Sequence, residues 1–144
     1  MTQLMKAFRL LLATALLIPF IFCNAQTSKK EVAGSSSDKI EAYYFHFTAR
    51  CVTCRTIEAK AKENLEVLYP NQIKQGLITF QSVNLDEASS KPLAEKLGVS
   101  GQTLLLVKGD RKINLTNEGF MYAMAKPEKF KEIINEKVDG LMIK

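Results

Sequence analysis

Ile40-Glu41-Ala42-Tyr43-Tyr44-Phe45-His46-Phe47-Thr48-Ala49-Arg50-Cys51-Val52-Thr53-Cys54 joins a stretch dense in aromatic residues to two cysteines separated by two residues. The aromatic part suits a buried strand, because such side chains fit a pleated, covered surface. After Cys54 the period changes. Ile57, Ala61, Leu65 and Leu68 recur at helical spacing, while Glu58, Lys60, Lys62 and Glu63 fall largely off that face. This predicts a helix from Cys54 to about Tyr69, stopped by Pro70. The cysteines therefore stand where a strand hands over to a helix.

Further along, residues 77–85 (LITFQSVNL) read as a strand, and residues 86–90 offer turn and capping groups before a short helix over 92–97. Residues 103–107 (TLLLV) form an apolar run of the kind found in mid-sheet, and Lys108-Gly109-Asp110-Arg111 turns it into 112–115 as a hairpin. Phe130, Ile133, Ile134 and Val138 set a final helix over 127–138, with Pro127 in its first turn. There is no internal repeat. The order strand, helix, strand, helix, hairpin, helix makes the first two strands parallel and adds an antiparallel pair. The expected class is α/β: a mixed central sheet flanked by helices, in a single domain.

The chain has 144 residues, enough for one domain and not two. Part of its apolar content is concentrated at the start. Lys6 and Arg9 precede an uncharged apolar run over 10–22, which is the pattern of a secretory signal peptide over 1–25. The run is too short to span a bilayer as a helix, which takes about 20 residues, and Pro19 interrupts it. Cleavage after Ala25 fits the small-residue rule, with Cys23 three positions before the cut. The competing reading lipidates Cys23 and anchors the protein as a lipoprotein; bulky Phe22 disfavours it.

Residues 26–39 (QTSKKEVAGSSSDK) lack bulky apolar side chains and read as a flexible tether, with the domain running over 40–144. Cleavage removes Lys6 and Arg9 and no acid, so the net charge falls from +5 to +3. With no basic run and no interleaving of aromatic and basic residues, nucleic-acid binding is not expected. The expected product is an exported monomer in the periplasm or outside the cell, with no stable membrane span.

A cysteine at a helix N-terminus feels unpaired backbone donors and the positive end of the macrodipole, which favour its thiolate below the free value of about 8.5. Cys51 holds that position, and the adjacent Arg50 reads either as a second cation that favours the thiolate or as plain surface charge. Cys54, one turn along, is placed to attack a mixed disulfide at Cys51. A bare CxxC has three readings: redox exchange, metal or metalloid binding, or an inert disulfide. A structural zinc site needs four ligands, whereas this chain offers Cys51, Cys54 and His46. His46 itself reads two ways, as a hydrogen-bonded imidazole among Tyr43, Phe45 and Phe47, or as proton acceptor for Cys54 or third metal ligand.

From Ile40 to about Val138 the chain resembles the thioredoxin superfamily. The resemblance rests on the strand running into FHFTARCVTC, on VNLDEASSKPLAEKLGVSG after the next strand, and on TLLLVKGD at the hairpin. Within the superfamily it is most similar to small exported bacterial ArsF-type proteins with the pattern F-H-x-T-x-R-C-x-T-C. The resemblance implies a redox-active Cys51–Cys54 disulfide with no other cofactor. It also implies a loop at Gly101, Gln102 and Thr103 that faces the cysteines and takes substrate, and protein thiols or disulfides with a further redox protein as partners.

The departures from thioredoxins are specific. Their buried acid, six residues before the first cysteine, is Phe45 here, and their partner lysine is Ser82. Glu58, one turn beyond Cys54, is the substitute on offer, against a reading as a solvated surface acid. Their cis-proline is Gln102, so the Gly101–Gln102 bond is expected trans, since a cis bond before a non-proline residue costs about 2.5 to 4 kcal/mol. The reading that follows is a thiol-disulfide oxidoreductase or electron-transfer protein. The alternative is a binding protein for a thiophilic ion such as Cu(I) or trivalent arsenic, held by Cys51 and Cys54 with His46 or an external ligand completing the site.

Overall fold

The computed structural model describes residues 38–143. The expected leader over 1–25, Cys23 and the tether as far as residue 37 lie outside the described residues. Four strands, β1 (Ile40–His46), β2 (Ile78–Asn84), β3 (Thr103–Lys108) and β4 (Arg111–Asn114), form one sheet in the order β2-β1-β3-β4. β1 pairs with β2 in parallel, from Ile40↔Ile78 to His46↔Asn84, and with β3 antiparallel, with Phe45 opposite Thr103. β3 and β4 close a hairpin at Lys108↔Arg111, where Gly109 takes a positive φ of 57°.

Among the described residues, five helices flank the sheet: α1 (Val52–Leu68), α2 (Pro70–Lys74), α3 (Lys91–Leu97), α4 (Thr116–Tyr122) and α5 (Pro127–Met142), with a 3₁₀ turn at Ala88–Ser90 before α3. The described residues are thus the α/β arrangement expected from the sequence, a mixed four-stranded sheet flanked by helices.

Alternation along β1 decides what lies under the cysteines. Ile40, Ala42 and Tyr44 turn to one face, where they pack with Ile57, Ala61 and Leu65 of α1, Phe130 and Ile134 of α5, and Leu104 and Leu106 of β3. Tyr43 and Phe45 turn to the other face, packing with Leu105, Val107 and Ala94 of α3. One side therefore carries α1, α4 and α5, and the other carries α3.

The elements differ from expectation at a few points, each with a local cause. α1 starts two residues earlier than Cys54, because Cys51 caps it. Pro70 both ends α1 and opens α2, since its fixed φ and missing N–H suit the first turn of a helix. β2 loses one residue at each end of the expected 77–85 run. α5 continues past Val138 to Met142, where buried Leu141 extends its apolar face. α4 was not expected at all, and it packs its buried Gly119 against Ile57 of α1: a Cβ on that glycine would lie 2.8 Å from Ile57 Cγ2.

Candidate redox site

The β1–α1 junction places both cysteines by backbone geometry. Cys51 is the N-cap of α1, extended at φ −70° and ψ 167°, and its Sγ accepts the Cys54 N–H at 3.2 Å. Its carbonyl accepts the Arg55 N–H at 3.2 Å and so begins the helical ladder. Cys51 and Cys54 form a disulfide, with Cα atoms 5.2 Å apart. The two sulfur-bearing residues are unequal in access: Cys51 is exposed, whereas Cys54 is 6% exposed. In the dithiol form, a capping sulfur that receives a backbone N–H is favoured as thiolate.

Arg50 is paired with Glu58 across the first turn of α1, each side chain about one-fifth exposed at 22% and 21%. Glu58 is therefore neither a freely solvated acid nor an unpartnered base beside Cys54. The loop carbonyl of Arg50 accepts a bond from Arg55 Nη1 at 2.9 Å. Arg50 and Arg55, the cationic residues on either side of the CxxC turn, are thus both engaged, the first by a carboxylate and the second by a loop carbonyl.

His46 is buried, and both ring nitrogens are taken. Nδ1 lies 2.9 Å from the Phe47 carbonyl, which can only accept, so Nδ1 carries a proton. Nε2 lies 2.9 Å from Ser82 Oγ on β2. The ring stacks with Tyr44, centroids 6.1 Å apart, rather than lying among Tyr43 and Phe45, because alternation sends those two to the opposite face. His46 makes no hydrogen bond to either cysteine. Among the described residues, no three His, Cys, Asp or Glu side chains group closely enough to hold a metal ion.

Sequence reasoning missed the bracing of the loop between β1 and Cys51. Asp86 Oδ2 accepts the Thr48 N–H at 2.7 Å, Asn84 Nδ2 donates to Thr48 Oγ1 at 2.9 Å, and the Leu85 N–H reaches the His46 carbonyl at 2.7 Å. The bond from Thr48 holds the Asp86 carboxyl below its ordinary range, with the Thr48 side chain adding to the effect. The end of β2 is therefore hydrogen-bonded to the end of β1 and to the loop that leads into the CxxC turn.

The group beneath Cys54 also escaped the sequence reading. Counting six residues back from Cys51 leads to Phe45, yet Phe45 faces the α3 side. The residue on the α1 side is Tyr44, only 1% exposed, and its Oη donates to the Cys54 carbonyl at 2.7 Å. Gln102 Nε2 in turn donates to that same phenolic oxygen. Burial pushes the Tyr44 phenol up to about 12, so it stays a neutral donor. A signal for Tyr44 existed in the parity of the strand; Gln102 was marked by its place in the loop before β3, but its pairing with Tyr44, 58 residues away, left no signal.

Gly101, Gln102 and Thr103 form the approach to β3, and there is no cis peptide bond among the described residues, as expected for Gly101–Gln102. Thr103 Oγ1 donates to the Gly101 carbonyl at 3.0 Å, and Gln102 alone of the three reaches the cysteine-bearing turn, through Tyr44. The structure thus draws Arg50, Cys51, Cys54, Glu58, Tyr44 and Gln102 into one neighbourhood and leaves His46 in the adjoining brace.

No family model matches the chain, and no curated protein matches it either. Among solved structures, the germline-specific thioredoxin Deadhead from Drosophila melanogaster aligns with a TM-score of 0.43 at 17% identity, over 70% of this chain and 83% of its own. A structure described as a malarial protein aligns with a TM-score of 0.38 at 20% identity, over 51% of this chain and 74% of its own.

Proposed function

We propose that this protein exchanges disulfides with protein thiols through Cys51 and Cys54. The carrying observation is the disulfide itself, set at a helix N-cap with one sulfur-bearing residue exposed and the other buried. An inert cross-link needs neither the cap nor that asymmetry.

In the reducing direction the Cys51 thiolate attacks a substrate disulfide. A Cys51–substrate bond forms, the substrate S–S bond breaks, and one substrate thiolate leaves. Cys54 then loses its proton and attacks Cys51 Sγ, which closes the Cys51–Cys54 disulfide and releases the second substrate thiolate. Two electrons pass to the substrate, and a dithiol partner must return them. The oxidising direction is the same sequence reversed, beginning from the disulfide. Arg50 with its Glu58 counterion tunes the charge felt by Cys51, and the loop at Gly101, Gln102 and Thr103 meets the substrate chain, a role supported by the link from Gln102 through Tyr44 to the Cys54 carbonyl. The sequence pattern over 1–25 supports work outside the cytoplasm, after export, and the F-H-x-T-x-R-C-x-T-C pattern supports kinship with the ArsF-type proteins.

Trapping tests this reading. Cys54→Ser keeps the exposed nucleophile and removes the resolving sulfur, so it accumulates mixed disulfides at Cys51, whereas Cys51→Ser accumulates few. Equal trapping by both variants, or none by either, would count against exchange. The alkylation pKa of Cys51 in Cys54→Ser should lie below the ordinary thiol value of about 8.5.

A further inference from the structure

The Cys54 peptide is held at both ends. Its N–H donates to Cys51 Sγ at 3.2 Å, and its carbonyl receives the Tyr44 hydroxyl at 2.7 Å, on top of its place in the first turn of α1. The hydroxyl has a single proton and gives it to Cys54, so the Gln102 amide meets the phenolic oxygen as a donor. A chain of donors therefore runs in one direction, from the β3 loop through β1 to the backbone of the buried cysteine. Each bond in such a chain polarises the next, and the low dielectric of the core strengthens both.

Attack by Cys54 on a mixed disulfide is an intramolecular step, whose rate depends on how narrowly the second sulfur is held in line with the first. Attack by Cys51 on an external disulfide is different, because it depends on the exposure and charge of Cys51. Tyr44 touches the backbone of Cys54, not the sulfur of Cys51. We infer that Tyr44 and Gln102 are positioning residues for the resolving step, holding the Cys54 turn in register so that closure of the Cys51–Cys54 disulfide is fast. The inference rests on the exchange reading above. It also gives residue 102 a task that a proline could not perform, since proline has no side-chain donor.

The two steps can be timed separately in the full chain. With glutathione disulfide as the probe, the reduced protein forms a Cys51–glutathione adduct, followed by mass, and closure of the Cys51–Cys54 disulfide then releases glutathione. In Tyr44→Phe and in Gln102→Ala, the ratio of the resolution rate to the attack rate is expected to fall by about tenfold. The double variant should fall no further than the worse single one, because the residues act in series. An unchanged ratio in both single variants would overturn the inference, as would equal slowing of both steps, which marks general loosening, or additive effects in the double variant. If the wild-type protein itself forms no adduct at Cys51 the exchange reading fails first, an outcome distinct from a normal wild type with indifferent variants.

Discussion

The Tyr44 hydroxyl lies 2.7 Å from the Cys54 carbonyl oxygen, so a neutral phenol stands beneath the buried cysteine. Its acidity gives a pH signature with a definite sign. The folded value is raised to about 12, mainly by burial, above an ordinary value of 10.0. Above pH 10 the unfolded chain releases this proton while the folded chain keeps it, so stability is full below pH 10 and falls as pH rises toward 12. Tyr43 and Tyr69 are shifted in the same direction and add to the slope. Denaturant titrations from about pH 9 to about pH 12 should therefore show a shallower fall in Tyr44→Phe than in wild type, and an identical slope would contradict the placement of Tyr44.

Arg50 is shared between Glu58 and the field around Cys51. Neutralising the acid in Glu58→Gln leaves the guanidinium uncompensated, so the Cys51 thiol should become more acidic. Arg50→Gln should shift it the opposite way. Alkylation rate against pH, measured in the Cys54→Ser background, reads both shifts; no change in either would reduce the pair to surface charge.

How far this site was legible beforehand depended on the range of the interactions. The strand-to-helix handover, the CxxC at the helix start and the mixed sheet follow from local period and were readable from residues 40–69 and the TLLLV hairpin. α4 was not, because Thr116–Tyr122 has no apolar stripe: it exposes Phe120 and Met121 and buries a glycine. Tyr44 was hidden by a count of positions relative to thioredoxins, which pointed to Phe45; alternation along the strand reverses the choice. The Gln102 contact, the Asp86 brace and the engagement of His46 by Ser82 depend on register between separate strands, which no local pattern carries.

Gly119 allows α4 to approach α1 one turn beyond Cys54. In an exposed helix Gly→Ala gains roughly 1 kcal/mol of propensity. Here the added Cβ would lie 2.8 Å from a methyl of Ile57, itself 1% exposed and unable to retreat. Overpacking of about 1 to 3 kcal/mol should win, so Gly119→Ala should lower the unfolding midpoint. A stabilised variant would show that the α1–α4 contact yields more easily than its packing implies.

Asp86 braces the loop before Cys51 and carries a depressed carboxyl. The folded chain binds its proton less readily than the unfolded chain, so the brace contributes above the ordinary aspartate value of about 3.9 and is lost as pH falls through the lower folded value. Asp86→Asn should lose less stability than wild type on acidification below about pH 4, as Asn keeps an acceptor that does not titrate. Parallel acid curves for the two proteins would remove Asp86 from that role.

Redox titration of the purified full chain, with metal analysis of its reduced form, bears most directly on thiol exchange as the work of Cys51 and Cys54. Equilibrated with dithiol and disulfide buffers and read by alkylation, the pair should show one reversible two-electron transition of about 30 mV per tenfold change in ratio, in a metal-free protein. Failure to interconvert, or a reduced form that retains a stoichiometric thiophilic ion, would contradict disulfide exchange and turn the same two sulfurs into a binding site.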